Sequence, residues 1–480
     1  MAFTHGVYTQ EVPTSLLSPN SSESGLPVII GTAPIHLSDT SNVNRPVLCY
    51  TYADAVKAFG FSKDWQKYTL CEFIYSQFAL YGMSPCVLIN VLDPSRHCSN
   101  ATSRAYTITS GQVNLGTEIL KDGLIANDGD ERNCELNTDY ELSYNDAGEL
   151  IFSVVSTGAL ANLASVTISC KKVTPESVAS TDIIGGVDAT TGKRTGLELI
   201  SRVYPKFRLI PGLIGAPGFS HLSEVAAAMV NKAQNINGLF NAMAVVDIPS
   251  SITNYTLVST WKESHSYTND RMIACWPKIK LGNDTYHLST QVIGLINSID
   301  AANDDVPYIS PSNHGLQMDS CVADNDTEIE LGIDEANELN RNGIITALNW
   351  SGGWRAWGNR TAIYPSSTDV KDCFIPVKRM FNWLRNDFIT MFWQETDAPM
   401  NRRLIRTIVN SYNYRLNGLA AREMILGGRI EFLDSENPTT DLLDGVLRFH
   451  IYVTPPTPAE TIEGIFEFDT EYLNTLFNTD

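Results

Sequence analysis

Short, uninterrupted runs of apolar residues alternate with helical patterns through much of this 480-residue chain. Two such runs are PVIIG (27–31) and PCVLINVLD (85–93), and between them lie two helical patterns that end at Gly60 and Gly82. Such a strand has no polar face to turn toward water, so it needs cover on both faces, as when helices pack on both sides of a mostly parallel sheet. The alternation therefore predicts an α/β domain.

This pattern is interrupted once and later replaced. Over 97–180, short strand-like runs alternate with Asn, Asp and Gly turns, which predicts an inserted β-rich domain. After 351, apolar residues recur at spacings of three and four over 374–392 and about 401–420, and a strand pattern follows at 446–453. The segment 303–350 is predicted to be mostly irregular and acidic, with a short helix in DEANELNRNG.

The predicted fold class is α/β (mixed α+β) and multidomain, because 480 residues exceed what one core holds. An α/β middle domain carries the β-rich insertion, and an α+β C-terminal domain follows. The predicted units are an N-terminal arm and linker (1–25), the first part of the α/β domain (26–96), the inserted domain (97–180), the second part of the α/β domain (181–350), the C-terminal domain (351–453), and a C-terminal linker and strand (454–480).

Each end of the chain has strand character set apart by a linker. At the N-terminus the strand formers precede Pro13 and the polar run SPNSSESG (18–25); they are Phe3, Val7, Tyr8 and Val12. At the C-terminus TPPTPAE (454–460) precedes a predicted strand at 461–468, whose apolar residues are Ile462, Ile465, Phe466 and Phe468. In polyproline II geometry the linker spans roughly 20 Å, at about 3.1 Å per residue. The last strand could therefore pack on its own subunit or be exchanged with another copy.

Composition excludes several classes of function. The 54 acidic residues outnumber the 34 basic ones, giving a formal charge of −20, which argues against general nucleic-acid binding. Nine cysteines without a Cys-x-x-Cys pair argue against zinc ribbons and a disulfide scaffold. The sequence contains no run of 18 apolar residues, so no membrane span is predicted. The N-terminus also lacks a signal-peptide pattern.

Motif-like stretches do not complete any catalytic, cofactor or metal site. GGVDATTGKRTG (185–196) has Val187 and Arg194 where a phosphate-binding loop needs Gly and Ser or Thr. The acidic stretch from Asp324 has Ile329 where a calcium loop needs glycine. The sequence therefore predicts no catalytic residue, no cofactor and no metal.

The densest unusual stretch is SGGWRAWGNRT (351–361). Its tryptophans could stack on a ligand, or they could wedge two bodies together where glycines allow a sharply bent crossing. The residues singled out are Gly353, Trp354, Trp357, Gly358 and Arg360.

Several of these segments together resemble the tail sheath protein of contractile-tailed bacteriophages and phage-tail-like bacteriocins. The resemblance is carried by GVYTQEVP (6–13), IIGGVDATTGKRTGLELI (183–200), PGLIGAPGFS (211–220), GGWRAWGNRT (352–361), FNWLRNDF (381–388) and PPTPAETI (455–462). Residues 97–180 match least.

The resemblance implies a structural, non-enzymatic subunit that forms stacked hexameric rings around an inner tube and contracts to drive the tube through a cell envelope. It implies exchange of both terminal arms between subunits and a structural role for the tryptophan stretch. The implied partners are further copies of the chain, the inner tail tube protein, and baseplate and tail terminator proteins, without nucleic acid or membrane insertion. The implied location is a virion tail sheath or phage-tail-like particle, assembled in the bacterial host cytoplasm.

Two alternatives stay open at this point. Residues 378–429 carry nine basic against four acidic residues, whereas 319–340 carry eight acidic residues and no basic one. Arg402, Arg403 and Arg406 could therefore face the tube, or pair with the acidic stretch of the same or a neighbouring subunit. The second alternative is an α/β enzyme or ligand-binding protein that uses the 351–361 loop as its site.

Overall fold

The computed structural model describes residues 20–21, 24–128 and 132–476. The predicted N-terminal arm residues Phe3, Val7, Tyr8 and Val12 lie outside this range. Within it, no helix is both long and apolar enough to cross a membrane.

The strands of the described chain are, in order, β1 (Asn20–Ser21), β2 (Pro27–Gly31), β3 (Val47–Cys49), β4 (Met83–Ser84), β5 (Cys86–Asn90), β6 (Thr102–Thr107), β7 (Gln112–Thr117), β8 (Ile125–Asn127), β9 (Tyr140–Tyr144), β10 (Glu149–Val154), β11 (Ser165–Cys170), β12 (Leu213–Gly215), β13 (Met243–Asp247), β14 (Met272–Cys275), β15 (Lys278–Leu281), β16 (Asp284–Tyr286), β17 (Ser320–Val322), β18 (Ile344–Trp350), β19 (Gly353–Trp357), β20 (Gly427–Glu431) and β21 (His450–Thr454).

The α-helices are α1 (Tyr52–Phe59), α2 (Thr69–Tyr75), α3 (Ser180–Ile184), α4 (Val203–Phe207), α5 (Ser223–Gln234), α6 (Tyr255–Ser264), α7 (Leu288–Ala302), α8 (Ile333–Arg341), α9 (Val370–Cys373), α10 (Ile375–Phe392), α11 (Arg402–Ala421) and α12 (Thr439–Leu443).

An eight-stranded sheet forms the centre of the α/β unit, with strand order β19-β18-β14-β13-β12-β2-β5-β3. The six inner strands are parallel, and the edge strands β19 and β3 are antiparallel to their neighbours. Every residue of β2, β5, β13 and β14 is buried. The mixed α/β fold class predicted from the continuous apolar runs is confirmed.

The inserted region forms two three-stranded antiparallel sheets, β7-β10-β9 and β6-β11-β8. They enclose a separate apolar core in which the rings of Tyr140 and Phe152 stack with centroids 4.5 Å apart. The chain leaves and re-enters the α/β unit through adjacent backbones, because the Ser99 amide donates to the Lys172 carbonyl oxygen at 2.7 Å.

The C-terminal unit packs α10 and α11 with the two-stranded antiparallel sheet β20-β21. The spacing predicts an apolar face on α11 made of Ile405, Ile408, Tyr412, Leu416 and Leu419. All of these but the half-buried Ile405 are buried. Helix α10 also binds the α/β unit through a buried ion pair, in which Arg379 Nη1 donates to Asp300 Oδ1 at 2.9 Å.

Three predicted elements differ in the structure. Residues 303–350, predicted mostly irregular, include β18, a seven-residue strand of the central sheet. The strand predicted over 446–453 is shorter and begins at His450. The last strand, predicted over 461–468, is not present in the single chain, where these residues have no regular secondary structure.

Candidate functional site

The tryptophan stretch is an edge hairpin of the central sheet. Strand β18 turns back into β19 through Ser351 and Gly352, with Trp350 paired to Gly353. Gly352 has a φ of 86°, in the left-handed region that side chains disfavour. The structure thus places Gly353, Trp354 and Trp357 in the sheet of the α/β unit.

The side chains of this hairpin already pack against, or form hydrogen bonds with, neighbouring protein groups. Trp354 is half-buried and packs against the main apolar core. Trp357 Nε1 donates to Asn337 Oδ1 at 3.0 Å, and Arg355 Nη1 donates to the Asn313 carbonyl oxygen at 2.7 Å. Four cavities of about 360–820 Å³ in the described part of the chain are all lined by residues outside 344–361.

The crossing to the C-terminal unit begins at Gly358. Its φ is 130°, and an added Cβ would lie 2.6 Å from the side-chain amide group of Asn340, so a larger residue is disfavoured here. Immediately afterwards the backbone pairs with the start of α10, because the Ile375 amide donates to the Asn359 carbonyl oxygen at 2.9 Å. The stretch therefore connects the two units, and glycine permits the bend.

Arg360 is the most heavily bonded side chain of this crossing. Its guanidinium carbon lies 3.8 Å from the ring centroid of Phe374 and 4.4 Å from that of Tyr364. Nη1 donates to Cys373 Sγ at 3.0 Å. Burial raises the pKa of the Cys373 thiol above its ordinary value, so this sulfur is a neutral acceptor.

The remaining donors of Arg360 bind the C-terminal segment. Nε donates to Glu460 Oε1 at 2.7 Å, and Nη2 donates to Glu460 Oε2. Two parallel hydrogen bonds between a guanidinium and a carboxylate are among the stronger polar contacts in proteins. Sequence reasoning did not single out Glu460, because nothing in its local sequence marks a partner 100 residues away.

Glu460 lies between a linker that is partly packed on the protein and a segment that is fully exposed. Before it, Pro455 is buried and Pro456 and Pro458 are half-buried, so the linker lies on the protein surface. After it, every residue from 461 to 473 is exposed. The predicted exchange residues are the most exposed apolar side chains here: Ile462 at 89%, Ile465 at 90%, Phe466 at 100% and Phe468 at 77%.

The sheet of the C-terminal unit has unpaired edges near the origin of this segment. Strands β20 and β21 pair only with each other in the described chain, so each keeps one edge without a strand neighbour. Such an edge presents backbone amide and carbonyl groups that can accept a further strand.

The basic segment divides into paired and unpaired residues. Six of its nine basic side chains have protein partners: Lys378, Arg379, Arg385, Arg415, Arg422 and Arg429. The other three are Arg402, Arg403 and Arg406, which are exposed on the first turns of α11. Within the described residues these three make no ion pair, either with the acidic stretch 319–340 or elsewhere.

Comparison with known proteins identifies relatives along nearly the whole chain. The tail sheath protein of Burkholderia phage BcepMu is 27% identical over 494 aligned residues, which cover 99% of this chain and 98% of that protein. A putative prophage major tail sheath protein of Pseudomonas aeruginosa is 26% identical and covers 64% of this chain and 76% of its own length. No protein-family model matches the chain.

The fold has a solved counterpart. The sheath complex of an extracellular contractile injection system, PVC, in its contracted state superposes with a TM-score of 0.57 at 14% identity, covering 98% of this chain and 99% of that one. At this identity the likeness concerns the fold alone. Together, the relatives and the fold confirm the resemblance inferred from the sequence: this chain is a homologue of phage and prophage tail sheath proteins.

Proposed function

We propose that this chain is the structural subunit of a contractile tail sheath. Its copies assemble as stacked hexameric rings around an inner tube, and contraction drives the tube through a cell envelope. The observation that carries the proposal is the match to a phage tail sheath protein over 99% of the chain. The particle is a virion tail or a phage-tail-like device, assembled in the cytoplasm of a bacterial host.

Exchange of the C-terminal segment is the part of the proposal that the subunit's own residues support best. Four large apolar side chains after Glu460 are at least 77% exposed, although burying each would contribute about 1.5–3 kcal/mol. On its own subunit such a segment buries little apolar surface. On the open sheet edge of a neighbouring subunit it would bury its apolar side chains and form backbone hydrogen bonds. The N-terminal residues Phe3, Val7, Tyr8 and Val12 are proposed to act in the same way.

The other proposed contacts rest on the exposure of the residues and on the similarity to tail sheath proteins. Arg402, Arg403 and Arg406 are proposed to face the inner tube protein, since they are exposed and unpaired in the described subunit. Baseplate and tail terminator proteins are proposed to bind the two ends of the sheath. The proposed role involves no enzymatic step, and no observation favours a ligand site in the 351–361 loop.

Electron microscopy of the purified protein tests this function. The full chain is expected to form tubes or stacked rings in negative stain. A chain lacking residues 461–480 is expected to remain folded by circular dichroism but to form no long tubes, because the exposed apolar segment is gone. Full-length tubes from the truncated chain would contradict exchange by this segment, whereas discrete monomers from the full chain under all conditions would contradict the sheath function itself.

A further inference from the structure

The exposed C-terminal segment has a defined origin on its own subunit. The last side chain before it that binds the folded body is Glu460, which holds Arg360 through two hydrogen bonds. Arg360 is itself fixed by the rings of Phe374 and Tyr364 and by Cys373. The guanidinium therefore cannot follow Glu460 outward without losing three other contacts.

The linker before Glu460 is fixed at both of its ends. Strand β21 ends at Thr454, and the Leu426 amide still donates to the Thr454 carbonyl oxygen at 2.8 Å. Pro455 is buried, and prolines restrict the backbone through their fixed φ. The chain is thus held at Pro455 and again at Glu460, whereas every residue from 461 to 473 is exposed.

We propose that the Arg360–Glu460 ion pair is the anchor of the C-terminal segment, so that exchange begins after Glu460 and the anchor sets the direction in which the segment reaches the neighbouring subunit. This proposal rests on the sheath function proposed above. It gives Glu460 a positioning role and gives Arg360, within the 351–361 stretch, a task in assembly besides joining two units.

Position and exposure explain why such an anchor would matter. An exposed segment that swings freely samples many directions, and ordering it on a neighbour costs conformational entropy at the moment of assembly. Fixing its origin reduces the directions available and so raises the effective concentration of the segment at the neighbour's sheet edge. The anchor should therefore act on the rate and extent of assembly rather than on subunit stability.

The key variant is Glu460→Gln, which keeps the shape of the side chain and removes its charge. Matched controls are Glu463→Gln and Glu467→Gln, which remove the same charge from exposed residues of the same segment. Loss of a charge-assisted bidentate contact should lower the anchored-to-free ratio roughly tenfold. The melting temperature of the unassembled protein should remain that of the controls.

Two measurements test whether the Arg360–Glu460 ion pair anchors the segment. In dilute, unassembled protein, genetically encoded spin labels at the exposed residues Ser366 and Glu463 should give a narrow distance distribution in the parent chain. This distribution should broaden with Glu460→Gln and stay narrow with Glu467→Gln. In assembly followed by light scattering, the initial rate should fall several-fold for Glu460→Gln alone, with Arg360→Lys intermediate because lysine keeps the charge but not the paired donors.

The outcomes separate this proposal from the function on which it rests. If the chain lacking 461–480 fails to assemble while Glu460→Gln matches the controls in both measurements, the anchor is overturned and exchange stands. If the truncated chain assembles normally, exchange is overturned and the anchor falls with it. Broadened distances together with slower assembly, at an unchanged melting temperature, support the anchor.

Discussion

Trp350 and Trp354 lie in the same hairpin but differ in exposure. Trp350, the last residue of β18, is 60% exposed, whereas Trp354 in β19 is half-buried against the main core. The two residues can be compared directly because they share chemistry and local backbone. Comparing alanine variants at these two positions therefore separates the stability that comes from packing of the indole ring from the stability that comes from the turn.

Trp354→Ala is expected to destabilise the subunit by about 2–3 kcal/mol, less than the 3–5 kcal/mol typical of a fully buried ring, because part of the indole already contacts water. Trp350→Ala, the matched control, should change stability by less than about 0.5 kcal/mol. Thermal melting of the unassembled protein measures both. Equal shifts for the two variants would contradict the packing of Trp354 against the main core. A nucleotide or sugar that raises the melting temperature of the parent by several degrees, but not that of Trp354→Ala, would favour a ligand pocket.

Helices and covered strands were the elements that the sequence predicted best. Helices α10 and α11 and strand β2 lie within one or two residues of their predicted bounds, because their periodicity is strong and their ends carry proline, asparagine or glycine signals. The fold class followed from the same patterns. The site could be predicted only in part: the exposed segment and the three arginines were visible in the sequence, but the partner of Arg360 was not.

Elements that depend on distant partners were predicted poorly. Strand β20 has one buried residue, Ile430, and is held by Asn413 of α11, whose Oδ1 accepts from the Ile430 amide at 3.0 Å. Strand β21 starts late because Asn437 binds both the amide and the carbonyl oxygen of Arg448, which takes that residue out of the ladder. Neither contact leaves a periodic signal in the sequence.

The contact between the inserted domain and the α/β unit is predicted to be sensitive to acid. His36 of the α/β unit is buried beside Tyr144 of the inserted domain, with ring centroids 5.9 Å apart. Burial lowers the pKa of His36 from 6.5 to about 4, although nearby Glu118 opposes the shift. The folded protein thus keeps His36 neutral where the unfolded chain would take up a proton.

Proton linkage gives the direction in which the stability of the folded chain changes with pH. Well above pH 6.5, His36 is neutral in both the folded and the unfolded chain, so it adds no pH dependence to the free energy of unfolding. As the pH falls from 6.5 to about 4, only the unfolded chain binds the proton, and up to about 3 kcal/mol of stability is lost. His36→Phe should lose less stability than the parent over this window in thermal melts, whereas His265→Gln, at an exposed histidine, should follow the parent. Parallel pH profiles for parent and His36→Phe would contradict the assignment.

At the scale of the whole molecule, basic and acidic residues are unevenly distributed along the chain. The chain has a net charge of −20, yet the start of α11 presents three exposed arginines without acidic partners in the described subunit. Cations in the first turns of a helix are disfavoured by the helix dipole, by a few tenths of a kcal/mol each. Asn401 caps this helix by accepting from the Leu404 amide at 3.0 Å, a role that arginine cannot fill because its guanidinium only donates hydrogen bonds. An external acidic surface would compensate for their placement.

Reversing Arg402, Arg403 and Arg406 together to Glu is therefore expected to spare folding and sheath–sheath contacts but to prevent assembly on the inner tube. Exposed arginine contacts are individually weak and screened by salt, yet they add up around a ring of subunits. A control chain with Lys57, Lys171 and Lys193 reversed to Glu has the same net charge and changes only exposed residues of the other units. Co-sedimentation with purified tubes, at low and high salt, compares the three proteins. Parent and control should bind at low salt and release at high salt, while the arginine variant should not bind at either. If the arginine variant binds as well as the parent at low salt, the arginines do not face the tube, and pairing with the acidic stretch 319–340 of a neighbouring subunit becomes the better assignment.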